Sequence, residues 1–274
     1  MAERRSTFLT SGGWIDLPWK GFQKQIHHRL LDIVGELANT TAIGYQILGD
    51  PTQLADPAKM LVTILDLVNR SWKLDTKFRA FYKRFEREID GPIYWPELSI
   101  GVDALTEASG KVFPVAFKFP NLGTAHVCIM YWATSAILWS GMGFLYKLLR
   151  GFQIAQDSQN VEVGSKNEAN LNGGIPTSFH TSLLPPLEHR VEVAELARNI
   201  CQSLEFCMHG EHRHLGSTGC IFPLKVAIET FNDTPGCDRE LAWATAAMGR
   251  IAGKGVRLMD NLGVPITDHA YLPG

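Results

Sequence analysis

The sequence predicts an all-α protein, one compact helical domain around a buried central helix, with one long flexible connection. Two observations carry this. The stretch Thr124 to Arg150 holds no charged residue between Val127 and Tyr146 and is crowded with Tyr131, Trp132, Trp139, Phe144 and Tyr146. Elsewhere apolar residues recur at helical spacing in three further segments. Wound as a helix, the central stretch places His126, Met130, Ala133, Ile137, Phe144 and Leu148 on one stripe and Cys128, Trp132, Trp139 and Tyr146 on another. A helix apolar on every side is buried on every side. Its length matches the roughly 20 residues that cross a bilayer. The interruptions at Thr134, Ser135, Ser140, Gly141 and Gly143, and the lack of a second such stretch, favour a core helix over a membrane span.

The chain begins with an arm over residues 1–22, read as extended: Pro18 restricts Leu17, and Trp14 and Trp19 offer rings to pin it to the body. The helical domain follows over 23–274. Its first helix runs from about Gln23 to Leu48, with Ile26, Leu30, Ile33, Val34 and Leu37 inward, and Gly49-Asp50-Pro51 stops it. Asp56 before Pro57 is a cap followed by proline at the first helical position. The helix it starts reaches about Ile89, with Leu61, Ile64, Leu65, Val68, Trp72, Phe78, Phe81 and Phe85 inward. Lys73, Lys77, Arg84 and Arg87 stand opposite, with Asp75, Glu86 and Glu88 among them. Residues 90–122 are too proline-rich for a continuous helix and read as an irregular aromatic loop. After the central helix, Gln156 to Pro186 is polar and rich in glycine and asparagine, and reads as mobile. Helices then follow at about Leu187–Met208, Gly219–Phe231 (Pro223 in its opening turn) and Asp238–Gly253, with a short tail helix and coil after them.

Composition narrows the function. A net charge of -2 gives no electrostatic case for a nucleic-acid surface. Five cysteines without a CxxC pair read as packed thiols of a reducing compartment, and no apolar run follows the charged N-terminus, so cytoplasm or nucleus is expected. No GxSxG, Walker, Rossmann, kinase or HExxH pattern is present, so no cofactor and no metal are expected. The densest polar cluster, His209-Gly-Glu211-His212-Arg213-His214, contains glycine and reads as a loop at a helix C-terminus, where histidines complement the helix dipole. Arg198, Gln202 and Glu205 fall together on an otherwise apolar helix. They read either as a structural Arg198–Glu205 ion pair or as hydrogen-bonding groups for a bound molecule. His126 reads as a core or capping histidine, or as a general acid. The aromatics Tyr131, Trp132 and Trp139 read as core, or as the lining of a hydrophobic cavity.

Taken together, the segments WIDLPWKG, RLLDIVGEL, DPAKMLVTILDLVNRSWKLDTKF, GPIYWPELS, FPVAFKFPNL and ICQSLEFCMHGEHRHLGSTGCIFPLKVAIETF resemble the helical regulatory region behind the zinc binuclear cluster of fungal transcription factors and factor-like proteins of secondary-metabolite gene clusters. The resemblance runs from about Trp14 to Leu262. The family's six-cysteine DNA-binding cluster is absent from this chain, so direct DNA binding does not carry over. The resemblance implies a helical body that holds a small molecule.

Two expectations follow. The first is a stand-alone protein of fungal secondary metabolism, a cofactor-free cyclase or isomerase acting on an apolar terpene- or polyketide-derived substrate, by a cyclisation or pericyclic reaction of the Diels–Alder type. His126, Arg198 and Gln202 are then its catalytic donors, and Tyr131, Trp132, Trp139, Glu205 and His209 its binding residues. The alternative is a ligand-sensing regulatory domain without its finger. Neither reading involves a membrane, and the oligomeric state is left open.

Overall fold

A computed structural model describes residues 10–48, 57–100, 110–163 and 184–253. The protein is all-α. Its helices are α1 (Gly12–Asp16), α2 (Ile26–Leu48), α3 (Pro57–Glu88), α4 (Leu122–Val163), α5 (Val193–Cys207), α6 (Arg213–Asn232) and α7 (Asp238–Ala252). Short 3-10 turns occupy Leu17–Trp19, Glu188–Val191 and Gly210–His212. Strands β1 (Trp95–Leu98) and β2 (Val115–Lys118) pair antiparallel, with Trp95 opposite Lys118 and Leu98 opposite Val115. By internal contacts the chain divides into two compact units. The first draws on Met1–Lys20, Asp32–Thr76 and Leu138–Val191, the second on Gly21–Leu31, Lys77–Ile137 and Glu192–Gly274. Each of α2, α3 and α4 therefore supplies residues to both.

In the first unit, Met60, Ile64, Leu67 and Val68 recur every third or fourth residue of α3 and pack with Leu145, Tyr146 and Leu149 of α4. Ile43, Trp72, Leu184 and Leu187 close around them. A buried ion pair stands beside this core. Arg190 donates through Nη2 to Asp75 Oδ2 at 2.7 Å and through Nε to Asp75 Oδ1 at 3.0 Å, and the two side chains are 2% and 1% exposed. The guanidinium lies 4.6 Å from the Trp72 ring centroid, and Trp139 Nε1 donates to Asp75 Oδ1 at 3.1 Å. Tyr146 hydroxyl accepts from Trp72 Nε1 at 2.9 Å and donates to the Pro185 carbonyl at 2.6 Å. These bonds tie residues 185–190 to α3 and α4. The charges are tolerated in the interior because both carboxylate oxygens and the guanidinium fork are matched.

In the second unit, Asn121 caps α4 by accepting from the Thr124 backbone N–H at 2.8 Å. Ala125, Val127, Cys128, Ile129, Trp132, Ala133 and Ala136 are all buried, as a helix apolar all round requires. Helix α5 packs on α6 and on β2, and α6 on α7. Gly216 permits the close approach of α6 to the end of α5, since a Cβ there would be driven into the Cys207 carbonyl. All five cysteines, Cys128, Cys201, Cys207, Cys220 and Cys237, belong to this unit and are free and buried.

Several expectations are corrected. Past Trp139, α4 is not buried all round: Ser140, Gly141, Phe144, Lys147 and Arg150 form an exposed stripe, with Phe144 48% exposed. By length and composition, Leu122–Ile154 is apolar enough to cross a membrane, and 56% of its most apolar window is buried in the protein. Helix α4 also continues to Val163, because Ala155, Gln156 and Gln159 sustain a helix and no glycine or proline intervenes after Gly151. Of the remainder of the expected mobile connection, residues 164–183 lie outside the described residues, as do the Asp56 cap and the tail beyond 253, while Leu184 packs on the first unit's core and the Pro185 carbonyl accepts from Tyr146. The expected extended arm is helical over Gly12–Trp19, with Trp14 56% exposed. The aromatic loop contains the β1–β2 pair. Helix α6 starts six residues before the expected Gly219, at Arg213, which leaves Pro223 in its interior. Asp75 is not on the solvated face of α3 but at a core position.

Candidate functional site

The second unit contains a half-open cleft of about 230 Å³, lined by residues of β2, α5 and α7 and of the segments adjoining β1, β2 and α5. Helix α5 and its cap supply Cys201, Leu204, Glu205 and Met208, spaced three or four residues apart and so on one face, with Gln202 at its margin. The strand pair supplies Ser99, Phe113, Val115 and Ala116. Helix α7 supplies Trp243 and Arg250, two turns apart.

The floor is apolar and aromatic. Phe113 and Trp243 meet edge to face, with ring centroids 4.8 Å apart at 75°, and Leu204 and Ala116 are buried beside them. The rim is polar. Glu205 accepts from Ser99 Oγ at 2.7 Å and from the Ile100 backbone N–H at 3.4 Å, and stands 3.5 Å from Lys118 Nζ. Lys111 Nζ donates to the Ser99 carbonyl. These bonds anchor the strand pair to α5. The Arg250 guanidinium lies 5.8 Å from the Trp243 centroid and is exposed, and neither it nor Gln202 has a hydrogen-bond or ion-pair partner among the described residues. Burial pushes the Cys201 thiol well above the ordinary range, so it is an apolar wall element and not a nucleophile.

Of the residues expected to form a site, the structure brings Gln202 and Glu205 to the cleft and leaves the others elsewhere. Arg198 is not paired with Glu205, which lies two helical turns away. It donates to Glu195 Oε1 at 2.6 Å and to Glu240 Oε1 at 3.1 Å, linking α5 to α7. His126 packs against α6. Its Nε2 is buried with no hydrogen-bond partner, and that nitrogen faces Gly219, where a Cβ would clash with it. Burial holds its imidazole below the ordinary value. Tyr131 sits among Phe78, Phe81 and Tyr82, with Tyr82 4.7 Å away between centroids, and Trp132 meets Tyr94 edge to face at 5.5 Å. Trp139 belongs to the Asp75–Arg190 network of the first unit. His209 is exposed, 3.7 Å from Glu211 and edge-on to His212. Among the described residues, no group of three or more His, Cys, Asp or Glu is placed to hold a metal ion.

Sequence reasoning missed Phe113, Trp243 and Arg250. Trp243 and Arg250 carry a signal of the right kind, an aromatic and a cation seven residues apart on an amphipathic helix, but nothing in the sequence states that this face meets α5 and β2. No family model matches the chain, and no match is found among curated proteins or solved structures.

Proposed function

We propose that this chain is a small-molecule-binding protein whose second unit receives a compact apolar ring in the Phe113–Trp243 cleft. One observation carries the reading: a concave apolar floor with two side chains at its rim, Gln202 and Arg250, whose polar groups are unused by the described residues. That combination of apolar lining and few polar groups is what small-molecule sites share. The volume limits the ligand. An apolar cavity of about 150 Å³ holds benzene, so about 230 Å³ suits a one- or two-ring group as the part of the ligand held inside the half-open cleft. Ligand sensing, the function suggested by the resemblance to fungal regulatory regions, fits this scale.

Calorimetric titration with 2-naphthamide, a neutral bicyclic probe, tests the reading. Saturable binding of one probe per chain is expected, abolished by Val115→Trp, which fills the cleft from β2. Absence of saturable binding, or equal binding by V115W, would refute it.

Catalysis is a second reading, favoured by the same two rim donors. In a cofactor-free isomerisation, Gln202 or Arg250 would stabilise charge developing on a substrate carbonyl. Conversion of an apolar precursor to a product of equal mass, slowed about 10²–10³-fold by Gln202→Ala, is the expected result. An unchanged background rate would leave binding alone.

A further inference from the structure

Resting on the binding reading above, the charges around the cleft narrow the chemical class of its ligand. Glu205 is the acidic group of the lining, and it is already engaged by Ser99, the Ile100 N–H and Lys118. Against it stand Lys118 beside the carboxylate, Lys111 on the Ser99 carbonyl, and Arg250 on the opposite wall. Neither Lys111 nor Arg250 meets a carboxylate among the described residues. Lys118 thus offsets the engaged carboxylate, and a guanidinium unused by those residues stands over an aromatic floor. We infer that the cleft takes a small aromatic or alicyclic carboxylate, its ring against Phe113 and Trp243 and its carboxylate on Arg250, with the Gln202 amide as a further donor.

The chemistry explains why the class is narrow. Arginine presents a planar fork that matches a carboxylate with two parallel hydrogen bonds, and charge-assisted bonds of this kind are about twice as strong as neutral ones. A cationic ligand would meet Arg250 and Lys111 with no free carboxylate to receive it. A neutral ligand would fill the floor but leave the fork to water. The volume of about 230 Å³ limits the part of the carboxylate held inside the cleft to one or two rings.

The decisive comparison is 2-naphthoate against 2-naphthamide, equal in shape and different in charge, on the full chain at low salt. Naphthoate should bind about tenfold more tightly, with the difference shrinking as salt rises. Arg250→Gln should erase the preference by weakening naphthoate about tenfold more than naphthamide, and Arg250→Lys should keep part of it. The amide serves as the folding control for both variants, because its binding requires an intact cleft. Equal affinity of the two probes in the wild type, or a preference that survives R250Q, overturns the carboxylate assignment while leaving the cleft as a binding site. Failure of both probes to bind overturns the assignment together with the binding reading.

Discussion

His126 shows how a residue singled out for chemistry is explained by packing. Its ring, carried on α4, packs against α6, with Gly219 as the surface that admits it. Gly219→Ala should therefore destabilise the protein by about 1–3 kcal/mol through overpacking, and adding His126→Ala should recover part of the loss. Chemical denaturation of both variants checks this, and a stable G219A would contradict the placement of the ring. The same burial fixes a pH dependence. The folded imidazole is held below its unfolded value of about 6.5, so the unfolded chain binds the proton more readily. Its contribution to stability is fully present above that value and is lost as pH falls through the folded one. The denaturation midpoint should fall between pH 7.5 and pH 5 by more in the wild type than in His126→Phe. An identical slope in the two proteins would remove His126 as the cause. Arg198 makes the same point for charge. Its neighbours Glu195 and Glu240 lie on its own turn and on another helix, so a double-mutant cycle should find coupling with Glu240 and none with Glu205. Spacing along α5 showed that Arg198 and Glu205 share an edge of the helix, but two turns separate them, and the true partner on α7 leaves no trace in local sequence.

At the scale of elements, the helices were legible wherever a long apolar stripe met a strong stop. Helix α3 and helix α7 fall within one residue of expectation, because Pro57 opens one, Asp90-Gly91 closes the other end, and Cys237-Asp238 and Gly253 bracket α7. The β1–β2 pair was not legible. Each strand is four residues long and flanked or interrupted by proline, which hides the period-two signal, and the pairing is settled by packing on α5. The start of α6 was hidden by the glycines of His209–Gly219, read as loop signals although Gly216 and Gly219 serve close helix contacts. Segment 185–190 is the element with the sharpest test. Its attachment depends on the matched Asp75–Arg190 pair, and Asp75, a carboxylate at a core position of α3, was the available signal. Arg190→Met should cost about 3–5 kcal/mol, because it strands a buried carboxylate. Arg190→Met with Asp75→Leu should be far closer to wild type, because apolar replacement of a whole buried pair is often neutral. A single variant as stable as the wild type would show that the pair is not buried as described.

For the whole molecule, contacts group the chain into two compact units, each assembled from several stretches of sequence. Whether these unfold together is a question the residues themselves can answer. Three helices, α2, α3 and α4, pass from one unit to the other without a break, and unwinding either half of such a helix exposes backbone groups of the other. We predict a single cooperative transition. The reporters are already segregated: the Asp75–Arg190 pair lies in the first unit, and all five thiols lie buried in the second. Burial also pushes the thiols of Cys128, Cys201 and Cys220 above their ordinary values, so they should react with a thiol reagent only when the second unit opens. If opening is global, Arg190→Met removes stability from both units at once. Every 1.4 kcal/mol is tenfold in the open population, so a loss of about 3 kcal/mol should speed labelling of the five thiols roughly a hundredfold. The double Asp75→Leu/Arg190→Met variant should restore slow labelling. Thiol protection unchanged in R190M, beside a calorimetric transition that splits in two, would show that the first unit opens alone and that the continuous helices do not couple it to the cleft.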